Sequence, residues 1–284
     1  MVFGVIGVAI FSVTLPATRI AVLGGLDAVF VGLGRAVVAA LVAAVILVVT
    51  RQPLPPRKHW GRLVAVAFCL VIGFPLFMTI AMQTVPAAHG GIVLGVLPLV
   101  TTAAAALFCG ERPSLKFWAV AFLGSALVVG FAMIQGGGGL QAGDVWLLAA
   151  AVWAGTGYAL SGDVARVLGS WQVICWVVVV SLPFITPPVL WVLPDVDWGA
   201  PWPVWTSFVY VALFSQLIGF FAWNRGMVLG GVARVGQVQL LQLFMTLAAS
   251  ALMLGEDIDG VTMIFATAVV GVVALGRRMP VARR

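Results

Sequence analysis

The sequence predicts an all-α polytopic membrane protein, with ten transmembrane helices arranged as two inverted five-helix repeats. Three observations predict it: the composition, the division of the chain into long apolar runs, and the placing of basic residues in alternate loops. Of 284 residues, 63% are hydrophobic and only 8% are charged, against about 25% charged in a soluble globular domain. A soluble fold of this length has too little interior to hide so much apolar surface. Lipid must solvate the chain.

A helix needs roughly 20 apolar residues to cross the hydrocarbon layer. In lipid only helices and closed barrels satisfy the backbone, and these runs are too long and continuous for barrel strands. Read between polar and Gly/Pro breaks, the expected spans are 2–23, 29–50, 61–83, 88–109 and 115–135 in the first half. In the second half they are 144–165, 171–192, 203–228, 233–254 and 260–277. The first run is long enough to stay in the membrane and is read as a span rather than a cleavable leader. With the N-terminus cytoplasmic, Arg51, Arg57, Lys58, Arg62, Arg112, Lys116, Arg166, Arg234, Arg277, Arg278, Arg283 and Arg284 all fall on the cytoplasmic side. Asp27, Asp144, Asp195, Asp197, Glu256, Asp257 and Asp259 fall on the other, with no Lys or Arg among them. That is the positive-inside pattern, and one missed helix would scramble it. Both termini are thus expected in the cytoplasm of a bacterial-type inner membrane. The net charge of +6 reflects orientation, not a nucleic-acid surface.

A shift of 145 residues, the interval from Gly91 to Gly236, lays 85–112 over 230–257 with ten of 28 positions identical. The matches include Thr101 with Thr246 and Gly110-Glu111 with Gly255-Glu256. Five helices per half is an odd number, so two copies must sit in opposite orientations, and such repeats place a binding site near the midplane between them. The halves are expected at 1–137 and 138–284.

The chain resembles the EamA family of the drug/metabolite transporter superfamily. The resemblance is carried by the 5+5 plan, Phe11-Ser12 and Trp153-Ala154 where the family often has Trp-Gly, Arg35 early in the second helix, Pro98 in the fourth, and Gly110-Glu111 closing it. The second half departs from it in having Leu243 where the proline would stand. The resemblance implies export or exchange of small metabolites, among them amino acids, including aromatic ones.

Charge inside a membrane is costly and needs a reason. Arg19 and Arg35 lie toward the outer ends of the first two helices with Asp27 between them; the favoured reading is snorkelling with a structural ion pair, substrate contact being the alternative. Arg225 is open between snorkelling and an inner vestibule. His89 is read as an interfacial helix-start residue, with a gating or proton role as the alternative. No Asp or Glu falls mid-span, which disfavours a carboxylate-based proton antiporter. Gln239, Gln242, Thr246 and Ser250 share one face of the ninth helix, and Gln216, Phe220, Trp223, Asn224 and Met227 one face of the eighth. These faces and the repeat-related pairs predict a central cavity walled by the first, third, fourth, sixth, eighth and ninth helices. Its expected residues are Ser12, Met78, Thr101, Trp153, Trp223, Asn224, Gln239, Gln242 and Thr246.

An intramembrane enzyme would need a Ser–His pair, a metal cluster or paired carboxylates facing a cavity; with two histidines and three scattered cysteines the sequence offers none, and no cofactor or metal is expected. A channel would favour rings of repeated polar residues. The expectation is therefore a transporter, monomeric or weakly dimeric, with lipid around it and a small molecule as substrate. Amino acids lead; sugar phosphates, other organic anions, or drugs and toxic metabolites are the alternatives, the phosphates because Arg225 and Arg234 would clasp them.

Overall fold

Deprived of water, an apolar run satisfies its N–H and C=O groups only by coiling on itself, and the runs coil. The computed structural model describes residues 1–135, 142–255, 259–277, 279 and 281–283. Among these, eight helices are long and apolar enough to cross a membrane: α1 (Val2–Leu23), α2 (Phe30–Val49), α3 (Arg57–Met82), α4 (His89–Phe108), α6 (Ala142–Leu168), α7 (Gln172–Asp195), α8 (Trp202–Gly230) and α9 (Val232–Leu254). Two further helices, α5 (Leu115–Gln135) and α10 (Gly260–Arg277), pack against each other. The expected boundary between halves at 137/138 lies outside the described residues, as do Glu256, Asp257, Arg278 and Arg284.

Small residues set the closest approaches, as they do wherever helices cannot be driven together by water. Helices α1 and α8 touch backbone to backbone: a Cβ on Gly226 would stand 2.8 Å from the Gly4 nitrogen. The outward face is apolar, with Leu41, Val45, Val48, Trp191 and Leu252 all exposed. Trp198, Trp202 and Trp205 gather where α7 passes to α8, as an interfacial aromatic belt requires.

The helix contacts come in related pairs. Helix α1 packs on α8 and α3 on α6; α4 packs on α6 and α1 on α9; α2 meets α7, α4 meets α9 and α5 meets α10. Exchanging the first five helices for the last five leaves this set unchanged. Irregularities recur in the same way. Wide π turns interrupt α3 at Phe68–Gly73 and α8 at Tyr210–Ile218, and tight 3-10 turns interrupt α4 at Leu94–Val96 and α9 at Gln237–Gln239. In α4 the cause is local: Pro98 has no N–H to donate and its ring crowds the carbonyl one turn back. A third π turn, Phe30–Gly34, opens α2.

Polar side-chain pairs sit at helix ends and fix relative direction. His89 Nε2 meets Asp144 Oδ1 at 2.7 Å where α4 and α6 start, and Arg166 donates to Glu111 at 3.1 Å where they finish, so the two run parallel. Arg62 at the start of α3 pairs with Asp163 at the end of α6, so those two run antiparallel. The short strands β1 (Glu111–Pro113) and β2 (Val281–Arg283) pair antiparallel and tie the α4–α5 turn to the C-terminal segment. Hydropathy reading gives no sign of this ribbon, since three-residue strands have no pattern to detect.

Candidate functional site

Two adjoining voids lie among the helices. The first is lined by Leu15 of α1, by Gly91, Leu94, Gly95 and Leu97 of α4, and by Gln239, Gln242, Leu243 and Thr246 of α9. The second is lined by Phe11, Thr14, Leu15, Arg35, Leu70, Phe74, Tyr158, Ser215, Phe220 and Gln242. Leu15 and Gln242 border both, so the two form one tract. Its free space is water-sized.

Backbone irregularity concentrates here. Helix α1 breaks at Val13, between Val2–Ser12 and Thr14–Leu23, and Phe11, Thr14 and Leu15 of the break face the second void. Each π turn delivers a lining residue within it or just after it: Arg35 after Phe30–Gly34, Leu70 and Phe74 at Phe68–Gly73, Ser215 and Phe220 at Tyr210–Ile218. Wide turns expose backbone and re-aim side chains, and they cluster at functional sites.

At the α4–α9 crossing the repeat-related residues meet reciprocally. A Cβ on Gly91 would lie 3.2 Å from Thr246 Cγ2, and one on Gly236 would lie 3.1 Å from Thr101 Cγ2. Thr101 also donates to Gln239 Oε1 at 3.2 Å. Several buried polar atoms nearby have no partner among the described residues: Gln239 Nε2, Gln242 Oε1 and Thr246 Oγ1.

Of the nine residues expected from sequence, Gln239, Gln242 and Thr246 line the tract, and Thr101 is hydrogen-bonded to it. Trp223 and Asn224 are wholly buried behind it. Trp223 packs on Phe11 and Tyr158, and Asn224 accepts a bond from Ser161 at 3.0 Å. Ser12 turns its hydroxyl onto the Ala9 carbonyl, and Met78 is core. Trp153 stands apart, 37% exposed, with its ring over Gly73. The eighth- and ninth-helix faces are buried throughout.

Arg35 is the main revision. It is 2% exposed, and neither Nε nor Nη1 has a hydrogen-bond partner among the described residues. The expected ion pair with Asp27 is not made. Asp27 Oδ1 instead accepts from the Val29 and Phe30 amides, at 2.8 and 3.0 Å, capping α2 as a carboxylate at a helix start does. Arg19 donates to the carbonyls of Met82 and Val85 at the end of α3. Arg225 is exposed and Arg234 donates to the Met279 carbonyl; neither lines the tract. The signal for Arg35 was its place six residues into an apolar run, with a carboxylate nearby in sequence offering too easy an explanation. The second helix, absent from the expected walls, enters through it.

A family model described as the EamA-like transporter family matches residues 1–133 and 141–276. The chain belongs to that family. It is 45% identical over 276 residues to the "Uncharacterized transporter YdeK" of Bacillus subtilis (strain 168), covering 97% of this chain and 96% of that protein. It is 28% identical over 287 residues to the "Probable terminal-alkyne amino-acid exporter" of Streptantibioticus cattleyicolor, covering 96% and 92%. A solved crystal structure matches with a TM-score of 0.75 at 21% identity, over 98% of this chain and 97% of that one, a likeness of fold. As an EamA-like transporter the chain is a multi-pass membrane protein with a transport role and a small-molecule substrate, and the tract is its candidate substrate path.

Proposed function

We propose that this EamA-like transporter exports or exchanges small metabolites, amino acids foremost and hydrophobic or aromatic ones among them. In this reading two inverted five-helix halves, 1–137 and 138–284, give ten membrane crossings and alternate access to a central cavity. The observation that carries it is the reciprocal crossing of α4 and α9, Gly91 against Thr246 and Gly236 against Thr101. Contacts exchanged between repeat-related residues are what a pseudo-two-fold axis produces. The matched contact pairs, the recurring π and 3-10 turns, and the two separately matched segments favour the same reading.

Amino acids lead because one relative is named an amino-acid exporter and because the tract mixes aromatic walls with few polar anchors, which suits amphipathic solutes. The reading extends to a bacterial inner membrane with both termini cytoplasmic, and to a monomer or weak homodimer. Phosphorylated sugars, other organic anions and drugs are the competing cargoes; the phosphate clasp is disfavoured, since Arg225 is exposed and Arg234 is engaged with Met279. Proteoliposomes preloaded with unlabelled solute separate these cargoes. Counterflow of labelled phenylalanine or leucine is expected, and none of labelled glucose 6-phosphate; the reverse result rejects the amino-acid reading.

A further inference from the structure

Arg35 is a buried cation that the described protein leaves without a counter-charge. Arg35 borders the second void, and its buried Nε and Nη1 have no hydrogen-bond partner among the described residues. Around it stand Phe11, Phe74 and Phe220, the Tyr158 ring, and one hydroxyl pair, Thr14 with Ser215 at 2.8 Å. Among the described residues no carboxylate borders either void. Burying an ionised group without compensation is strongly unfavourable, and a planar guanidinium matches a carboxylate through two parallel N–H···O bonds.

We infer that Arg35 is the carboxylate anchor of the substrate site, so that the transported solute is a monocarboxylate with an apolar body. This rests on the reading of the tract as the substrate path and adds which part of the solute is recognised. The carboxylate docks on Arg35 as the helices part and the apolar body lies among the three phenylalanines. An α-ammonium meets only neutral acceptors, the orphaned Gln242 Oε1 and the Thr14–Ser215 oxygens. The carboxylate is therefore obligatory and the ammonium is dispensable.

The chemistry of the panel separates this from a plain aromatic pocket. With purified wild-type protein, phenylalanine and its deamino analogue 3-phenylpropanoate are expected to raise the melting temperature and to compete in counterflow. Phenethylamine and phenylalanine amide, which lack the carboxylate, are expected to do neither. Arg35→Gln should lose more than tenfold in apparent affinity for both acids while melting no lower than wild type, because the substitution removes an uncompensated buried charge. A structural arginine would give the opposite, a lower melting temperature with transport per folded molecule unchanged, and that result overturns the inference. Protection by phenethylamine equal to that by phenylalanine also overturns it, as does protection by chloride alone with none by the acids. Failure of wild-type protein to move any amino acid while moving glucose 6-phosphate would instead reject the proposed cargo, so the two failures are distinguishable.

Discussion

Trp223 and Gln242 were both expected at the cavity, and the structure gives them different work. Trp223 is fully buried against Phe11 and Tyr158, and a Cβ on Gly7 would lie 3.0 Å from its own Cβ. Trp223→Ala is therefore expected to destabilise by about 3–5 kcal/mol, seen as a lower melting temperature in detergent, with activity falling in proportion to folded protein. Gln242 borders both voids with Oε1 unpartnered. Gln242→Ala should leave the melting temperature nearly unchanged and lower counterflow several-fold, one lost hydrogen bond being worth about 1 kcal/mol. An unstable Gln242 variant with normal transport per folded molecule would move it to the structural group. Helical spacing put both residues on buried faces, because a polar side chain in lipid must turn inward. Spacing cannot divide a buried face into wall and core, which depends on what the neighbouring helix brings opposite, and so Met78 and Ser12 were expected at the cavity and lie in packing.

At the scale of elements, the Gly110-Glu111 motif is a cap. Glu111 is buried and accepts from the amides of Val232 and Ala233 at 2.8 Å each and from Arg166. The end of α4 thus holds the start of α9, where amides lack intrahelical partners and the helix dipole favours an anion. Glu111→Ala is expected to cost roughly 2–4 kcal/mol, measured by thermal denaturation, with Glu111→Gln recovering part of it. A change below what denaturation resolves would contradict the capping role. Close packing makes a second prediction. A methyl on Gly236 would crowd Thr101 Cγ2 at 3.1 Å; overpacking of this kind costs about 1–3 kcal/mol, offset by about 1 kcal/mol of helix propensity. Gly236→Ala should lower the melting temperature, and adding Thr101→Ser, which deletes that methyl and keeps the hydroxyl on Gln239, should restore it. No rescue would show that the crossing is looser than described. The repeat alignment exposed these four positions without saying that each glycine faces the other helix's threonine, because an alignment records equivalence and not contact.

For the whole molecule, composition and run length fixed the class, since water cannot solvate a chain this apolar and lipid admits few alternatives. The π turns were not legible, and Arg35, though conspicuous in an apolar run, did not reveal that it is buried without an ion-pair partner among the described residues; both arise from how helices fit each other, which hydropathy does not encode. Orientation is predicted by charge: a cysteine at position 57 should label from the cytoplasmic side only, and labelling from outside would invert the topology. Alternating access between the proposed halves requires the α4–α9 crossing to open and close during transport. Gly91 lies early in α4 with Thr246 late in α9, and Gly236 early in α9 with Thr101 later in α4, so the two contacts lie on opposite sides of the crossing. A Cβ on Gly91 would be 3.5 Å from Thr246 Cβ, and one on Gly236 3.5 Å from Thr101 Cβ, separations a disulfide spans. The decisive measurement is phenylalanine counterflow by the Gly91→Cys/Thr246→Cys and Gly236→Cys/Thr101→Cys proteins, oxidised and then reduced. Either disulfide alone should arrest counterflow and reductant should restore it. Full cross-linking with undiminished counterflow would contradict the account.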